Sequence, residues 1–229
     1  MRVQLEPAFV LRTAPYSDSS LLVEAFARGH GRVGLVARGT RAPRSKTRAL
    51  LQAFRPVLLS WIDKGDLGTL AGIEEAGPPV PLSGEDVFSG WYLNELLLKL
   101  LQRHDPHPDL FDAYTDALAE LSLATERALR LFEKRLLAEI GFALDLPDDL
   151  VPESHYRFLP ESGAFVVEAG PDAAIQASGQ ALIALRDETL LDPADVRAVR
   201  GVLREALRPL LAGREIVTAR VLRELRRRS

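Results

Sequence analysis

Residues 21–37 read LLVEAFARGHGRVGLVA, which is two short apolar runs on either side of a Gly-His-Gly turn. Apolar runs that flank glycine-containing turns are typical of paired β-strands. Further short runs that are apolar or alternate in polarity occur at residues 8–13, 56–62 and 67–73. Five short strands within about 75 residues, with one longer connection between the third and the fourth, favour a small closed barrel, and an OB-fold is the leading candidate.

A proline-rich segment follows the strands, because residues 76–81 read AGPPVP. Proline interrupts both helices and strand ladders. The segment therefore predicts a boundary between an OB-fold domain at residues 1–77 and a second domain at residues 82–229. After the boundary the apolar period becomes helical, with Ser83 as the expected N-cap of a strongly apolar helix at residues 87–103.

The second domain is predicted to be helical, with a small insertion. Further helices are expected at residues 109–121, 126–140, 178–186 and 193–211, and a last one from residue 218. Helical periodicity is lost within residues 147–171, where two short apolar runs flank Glu161-Ser162-Gly163 and predict a hairpin. The predicted fold class is thus α+β with two domains, an N-terminal OB-fold β-barrel and an α-helical domain with a hairpin insertion.

The formal net charge of −3 hides a strong separation of charge along the chain. Residues 25–62 contain no Asp or Glu and eight Lys or Arg, so they carry +8 and leave −11 to the remainder. Residues 142–195, by contrast, hold eleven acids against two arginines. A protein with separated charges can bind polyanions locally although the whole molecule is acidic.

The cations concentrate in the connection after the third strand. Residues 38–48 read RGTRAPRSKTR, with five cations and three hydroxyl side chains. Such groups suit phosphate oxygens but do not read base sequence. The connection therefore predicts a nucleic-acid-binding surface on the barrel. Candidates for stacking on bases are Tyr16, Phe26, Phe54 and Trp61, each of which could equally be a core residue.

The chain lacks the residue patterns of most catalytic and metal-binding classes. Its cysteine count of zero excludes disulfide scaffolds, cysteine nucleophiles and thiolate metal sites. Residues 29–34 match G-x-G-x-x-G but precede a strand, so a tight turn is favoured over a dinucleotide site. His104 and His107 lie in a proline-containing loop with no fixed helical face. We expect no enzyme activity, no cofactor and no metal.

The chain also lacks a run of about 18 apolar residues and an N-terminal apolar signal segment. We therefore expect a cytoplasmic protein without membrane contact.

A series of short motifs runs through the chain. It includes GRVGLVARGTR at residues 31–41, YLNEL at residues 92–96 and LRLFE at residues 129–133. In their order and spacing, over nearly the whole chain, these motifs resemble the RecO family of bacterial recombination mediators and DNA repair proteins.

The resemblance implies an N-terminal OB-fold, a helical C-terminal domain and a function. Members of the family bind single- and double-stranded DNA and anneal complementary strands. They recognise the acidic, phenylalanine-ended tail of single-stranded DNA-binding protein (SSB), and with RecR they help load RecA onto SSB-coated DNA. By resemblance, the DNA-binding residues are Arg32, Arg38, Arg41, Arg44, Lys46 and Arg48.

The resemblance also places Arg130 beside the pocket for the SSB tail. A guanidinium next to an apolar pocket suits a terminal carboxylate and a phenyl ring. The other interpretation is an ordinary surface arginine on an amphipathic helix.

The chain departs from the family pattern in two places. Some members carry a cysteine zinc site near residues 147–171, whereas this chain has no cysteine, so we expect a zinc-free hairpin or loop there. Thr218-Ala219-Arg220 stands where the family commonly shows Lys/Arg-Ser-Arg.

The predicted function is a non-enzymatic, nucleoid-associated mediator that binds and anneals DNA. The alternative is an adaptor whose basic barrel binds an acidic partner protein without annealing DNA.

Overall fold

A computed structural model describes residues 1–40, 46–63, 65–167 and 176–228 of the chain. In chain order the elements are β1 (Arg2–Pro15), β2 (Leu21–Ala27), β3 (Gly31–Ala37), α1 (Lys46–Leu50), β4 (Pro56–Ile62), β5 (Gly68–Glu75), α2 (Glu85–Leu100), α3 (Pro108–Glu139), β6 (His155–Leu159), β7 (Ala164–Val167), β8 (Gln176–Ser178), α4 (Gly179–Arg186), α5 (Pro193–Leu210) and α6 (Val217–Arg228). The α+β class, with five N-terminal strands and a helical C-terminal region, is confirmed.

The chain forms two compact units, Met1–Ala119 with Ile216–Ser229 and Glu120–Glu215. The division at residues 77 and 82 that the proline-rich segment indicates stays a prediction, because compactness alone does not define a functional domain.

The first unit is built on the five predicted strands. Their order is β1-β2-β3-β5-β4, and β4 pairs with β1, so the sheet closes into a barrel. Strands β3 and β5 run parallel, and the other neighbours are antiparallel. Strand β1 is longer than its apolar run at residues 8–13 because its first half pairs with β4 and its second half with β2.

Both faces of β1 are covered where Ala8–Leu11 are buried in succession. Ala8 and Val10 belong to the core inside the barrel, whereas Phe9 packs on the outside against Phe111 and Tyr114 of α3, at ring-centroid distances of 5.4 and 5.1 Å. Burying a phenylalanine side chain stabilises a fold by about 1.5–3 kcal/mol. The buried residues of the barrel core are Val3, Ala8, Val10, Val23, Ala25, Ala27, Val33, Leu35, Ala37, Leu51, Val57, Leu59 and Trp61.

The glycines of the G-x-G-x-x-G match serve the β2–β3 hairpin. Gly31 has a φ of +63°, and a Cβ there would lie 1.9 Å from the carbonyl oxygen of Asp105. A Cβ on Gly34 would lie 2.9 Å from both Arg103 and Leu67. Because strand β3 follows the turn, the helix that a dinucleotide site requires is absent at this point of the described structure.

The predicted N-cap of α2 is wrong by one residue. Gly84, not Ser83, is the N-cap, and its φ is +55°. Glycine adopts that conformation readily, whereas serine does not. Glu85 and Asp86 supply negative charge to the first turn instead of a capping side chain.

The second unit confirms the predicted hairpin and adds a strand to it. Strands β6 and β7 pair across the turn, and β8 pairs with the other edge of β6. Strand β8 has three residues, which is too short for the alternation of polar and apolar residues that identifies a strand in a sequence. Ser178 caps α4 and Asp192 caps α5, each accepting a hydrogen bond from a backbone N–H of the first turn. Ala124 is non-helical within α3, between the two helices expected from the sequence.

The described ranges contain no helix that is long and apolar enough to cross a membrane. In the same part of the chain, no group of three or more His, Cys, Asp or Glu residues is arranged to hold a metal ion.

Candidate nucleic-acid interface

The cationic loop, defined as residues 38–48, leaves the barrel next to the turn between β1 and β2. Strand β3 ends at Ala37, which pairs with Leu21, and Leu21 pairs in turn with Pro15. This register places Arg38 beside the turn that carries Tyr16. Both side chains are exposed, so a cation and an aromatic ring share this end of the barrel.

The start of the cationic loop is anchored by Thr40. Its side chain is buried, and its Oγ1 donates a hydrogen bond of 2.8 Å to the carbonyl of Ala37. Gly39 takes a φ of +68°, a conformation that glycine adopts without steric cost. The chain thus turns sharply out of β3 and leaves Arg38 exposed.

The end of the cationic loop is anchored by Leu51. Lys46 and Arg48 are exposed on α1, whereas Leu51, just after that helix, is buried in the barrel core. The described cations of the loop, Arg38, Lys46 and Arg48, are therefore exposed next to segments that are fixed to the barrel.

Two other cations of the acid-free segment are neutralised by acids from outside it. Arg28 donates to both carboxylate oxygens of Asp112, at 3.1 and 2.7 Å, and the hydrogen bond raises the pKa of the Arg28 guanidinium. Arg55 lies 2.7 Å from Glu75. The positive charge of residues 25–62 is therefore concentrated in the cationic loop.

Arg32 lies apart from the cationic loop. It is half-buried on β3, and its Nη1 donates a hydrogen bond to the carbonyl of Leu98 in the last turn of α2. Burial lowers the pKa of the Arg32 guanidinium, and the negative charge of Glu24 offsets this in part. Helix C-terminal carbonyls favour a cation. Arg32 thus supports α2, a position that does not favour its predicted contact with DNA.

Of the six residues predicted to bind DNA, the structure brings three to the ends of one short connection: Arg38, Lys46 and Arg48. Arg41 and Arg44 lie outside the described residues. The role of all six in DNA binding stays a prediction.

Tyr16 is the exposed member of the four candidate stacking residues, with 54% of its surface accessible. Phe26 is buried against α3, and Trp61 is buried in the barrel core. The ring of Phe54 lies 5.3 Å from that of Trp91 and is also buried. Tyr16 is therefore the one that can stack on a base without unfolding the core.

Arg130, predicted to border the pocket for an acidic tail, is buried within the second unit. It is 5% exposed, and Glu133, one turn along α3, is 1% exposed. The Nη1 of Arg130 lies 3.0 Å from Oε2 of Glu133, and its Nε donates to the carbonyl of Glu126. The guanidinium is thus engaged by its own helix, and its contact with an SSB tail stays a prediction.

The neighbouring cations of α3 hold the C-terminus of α4. Lys134 Nζ donates to the carbonyl of Arg186 at 2.7 Å, and Arg127 donates to the carbonyl of Glu188 at 3.2 Å. Arg135 lies 2.5 Å from the Glu188 carboxylate, and that hydrogen bond lowers the pKa of Glu188. The spacings of three and four residues between Arg127, Arg130 and Lys134 predict that they share one helix face. The same spacings give no sign of Glu188, whose carboxylate contacts Lys134 and Arg135, 54 and 53 residues away along the chain.

Glu95, which sequence reasoning also missed, caps the basic C-terminal helix α6. Its carboxylate accepts hydrogen bonds from Val217 N at 2.9 Å, Thr218 N at 3.0 Å and Thr218 Oγ1 at 2.6 Å. Burial opposes ionisation of Glu95, but these hydrogen bonds and the charge of Lys99 outweigh it, so its pKa lies below the usual value. The sequence signal is the polar pair Asn94-Glu95 between Leu93 and Leu96 in the apolar middle of α2.

Glu95→Ala is expected to loosen α6 at a cost of about 1–2 kcal/mol, because the first turn of that helix loses its capping carboxylate. Faster amide hydrogen exchange at Val217 and Thr218 is the measurement. Since the pKa of Glu95 is depressed in the folded state, its contribution is present above the unfolded pKa of about 4.3 and is lost as pH falls through the folded value. The variant and the wild type should therefore differ at neutral pH and converge in acid; equal exchange at neutral pH would contradict the cap.

The fold and the site together define a small-barrel protein with an exposed cationic surface at one end of the barrel and a helical region after it. Profiles of two families, "Recombination protein O N terminal" and "Recombination protein O C terminal", match residues 1–78 and 83–215. The chain therefore belongs to the RecO family of DNA repair proteins.

Relatives of similar length support the assignment. The chain is 43% identical over 235 residues to the DNA repair protein RecO of Laribacter hongkongensis, covering 98% of this chain and 96% of that protein. It is 38% identical over 234 residues to the RecO of Dechloromonas aromatica, covering 98% and 97%. It is 37% identical over 228 residues to the RecO of Coxiella burnetii, covering 96% and 98%.

Proposed function

We propose that the protein is a recombination mediator that binds single- and double-stranded DNA and anneals complementary strands. The observation that carries the proposal is the exposure of Arg38, Lys46 and Arg48 at the anchored ends of the cationic loop, with the exposed ring of Tyr16 beside Arg38. Cations in such a loop bind phosphates of either strand, and an exposed ring can stack on an unpaired base. Membership in the RecO family supports the same function.

We further propose that the barrel is an OB-fold and that the functional division of the chain is 1–77 and 82–229. The strand order β1-β2-β3-β5-β4, closed by pairing of β4 with β1, supports this assignment. OB-folds bind oligonucleotides with a strand face and the loops around it. The turn with Tyr16 and the cationic loop would form part of that binding surface.

Annealing by this surface requires no covalent step, no cofactor and no metal. The cations hold two polyanionic strands close and reduce their mutual repulsion, and base pairing then supplies the specificity. The protein would act as a mediator and not as an enzyme.

The family resemblance extends the proposal to protein partners. With RecR, the protein would help load RecA onto SSB-coated DNA, and the region around Arg130 would receive the acidic tail of SSB. Because Arg130 is buried beside Glu133, this part of the proposal needs a test that separates loss of stability from loss of binding.

We expect the protein to accelerate annealing of complementary strands coated with SSB, measured by energy transfer between dyes on the two strands. The rate should not change on addition of a metal chelator or on omission of nucleotide. Annealing no faster than that of the coated strands alone would overturn the proposal. Capture of SSB-coated DNA without annealing would instead support the adaptor function.

A further inference from the structure

A partly apolar pocket with two carboxylates on its rim lies within the second compact unit. Its volume is about 310 Å³, within the range of about 300–1,000 Å³ that is common for ligand sites. It is formed by α4, the α4–α5 connection, the first turn of α5 and Pro152, and its lining includes Ile183, Ala184, Leu191, Asp192 and Asp195. None of these residues belongs to the cationic loop, and Arg130 does not line the pocket.

The apolar part of the pocket includes an unusually exposed leucine. Leu191 is 82% exposed, whereas the preceding residue, Leu190, is fully buried. Isolated exposed leucines are common on protein surfaces, but one beside an apolar-lined cavity marks a site where a partner can bury apolar surface. Ile183 and Ala184 continue that surface into the pocket.

The carboxylates of the rim belong to the N-terminal turn of α5. Asp192 is the N-cap, and its Oδ1 accepts a hydrogen bond of 2.7 Å from Ala194 N. Asp195 lies in the first turn. Burial and the nearby charge of Asp192 both raise the pKa of Asp195, so a cation bound between the two carboxylates would relieve their repulsion.

The cations of the neighbouring elements are engaged by other acids. Arg186 lies 2.9 Å from Asp187 and 3.4 Å from Asp148, and Arg135 lies 2.5 Å from Glu188. Within the described ranges, no Lys or Arg forms an ion pair with either carboxylate of the rim. The pocket therefore combines apolar surface with negative charge that the rest of the described unit does not neutralise.

The charge of the pocket selects among ligands. Residues 142–195 carry a net charge of −9, so DNA and an acidic peptide tail would both be repelled here. A divalent cation requires six or more oxygen ligands of suitable geometry, and one of the two carboxylates already caps a helix. A ligand with a cationic side chain next to an apolar one matches both the carboxylates and the apolar lining of the pocket.

We propose that this pocket binds a cationic segment of a partner protein, with an apolar side chain in the cavity and an adjacent Lys or Arg on Asp192 and Asp195. Charge complementarity identifies the partner, since the ligand must be opposite in sign to DNA and to the SSB tail. The apolar stem of a Lys or Arg would also cover Leu191. The inference goes beyond the proposed DNA function and assigns a role to the acidic part of the chain.

A fluorescein-labelled peptide KKLKK tests the proposal by fluorescence polarisation with the full chain. We expect the peptide to bind, and the peptide KKSKK to bind about tenfold more weakly because it cannot fill the cavity. The variant Asp192→Asn/Asp195→Asn should weaken KKLKK binding by about tenfold or more. Asparagine is as good an N-cap as aspartate, so α5 should keep its structure in this variant.

The matched control is Asp149→Asn/Glu161→Gln, which removes the same charge from two exposed positions outside the pocket lining. It should leave KKLKK affinity within about twofold of wild type. Equal affinity for KKLKK and KKSKK, or unchanged affinity in Asp192→Asn/Asp195→Asn, would overturn the proposal. Self-association of the wild type that the same variant abolishes would assign the pocket to a second copy and also overturn it. DNA annealing should be unchanged in both variants, so failure here is distinguishable from failure of the proposed function.

Discussion

Arg130→Ala should lower the free energy of unfolding by about 3–5 kcal/mol, the cost of removing one partner from a buried ion pair. The guanidinium lies 3.0 Å from the Glu133 carboxylate, and both side chains are almost completely buried. Truncation of Arg130 removes the positive charge and leaves the Glu133 carboxylate buried without that partner. In a chain of this size the melting temperature should fall by roughly 10 °C, measured by the loss of helical circular dichroism on heating.

The control for this prediction is Arg204→Ala, on α5 of the same unit. Arg204 is an arginine with 74% of its side chain exposed and a 3.5 Å contact to Glu205. Exposed pairs of this kind contribute about 0–1 kcal/mol, so its melting temperature should stay close to that of the wild type. Similar melting temperatures for the two variants would contradict a structural role for Arg130.

The double variant Arg130→Met/Glu133→Leu separates stability from recognition of the SSB tail. Replacing a buried ion pair by apolar residues of similar volume is often neutral or stabilising, so this variant should melt near the wild-type temperature. If Arg130 also binds the tail carboxylate, the affinity for a labelled SSB tail peptide should fall by at least about tenfold. Unchanged affinity in the stable double variant would remove Arg130 from the tail site.

The barrel could be predicted from the sequence because its pattern is local. In β2, Val23, Ala25 and Ala27 alternate toward the core, and that period of two is visible without knowledge of any partner strand. The N-terminal half of β1 escaped prediction because only half of residues 2–7 are apolar and most of these six residues are exposed. They form a strand because β4 pairs with them, which is a contact between residues distant in sequence.

The pairing of charges could not be predicted, for the same reason. The sequence shows eight cations in residues 25–62. It does not show that Arg28 and Arg55 form ion pairs with Asp112 and Glu75 from later in the chain. The interpretation of Arg130 as an ordinary surface arginine is wrong for the same reason, because the core that packs around α3 buries its side chain. A sequence shows how much charge a segment carries, whereas the fold decides which part of that charge can reach a ligand.

Charge reversal of the cationic loop, Arg41→Glu/Arg44→Glu/Lys46→Glu, should reduce affinity for single-stranded DNA by about 100-fold at 0.1 M salt. Each phosphate contact contributes about 0.7 to the slope of the logarithm of the binding constant against the logarithm of the salt concentration. Loss of three contacts should therefore reduce that slope by about 2. Gel-shift titrations over a range of salt concentrations measure both quantities.

The slope distinguishes contacts in the cationic loop from the net charge of the chain. The control Arg197→Glu/Arg204→Glu/Arg208→Glu reverses three exposed arginines of α5, so both variants change the net charge from −3 to −9. Counterion release counts only the phosphates that are contacted. The α5 variant should hence keep the wild-type slope although its affinity falls modestly through long-range repulsion. An unchanged slope in the loop variant, or an equal loss of slope in both, would show that residues 41–46 do not contact the DNA backbone.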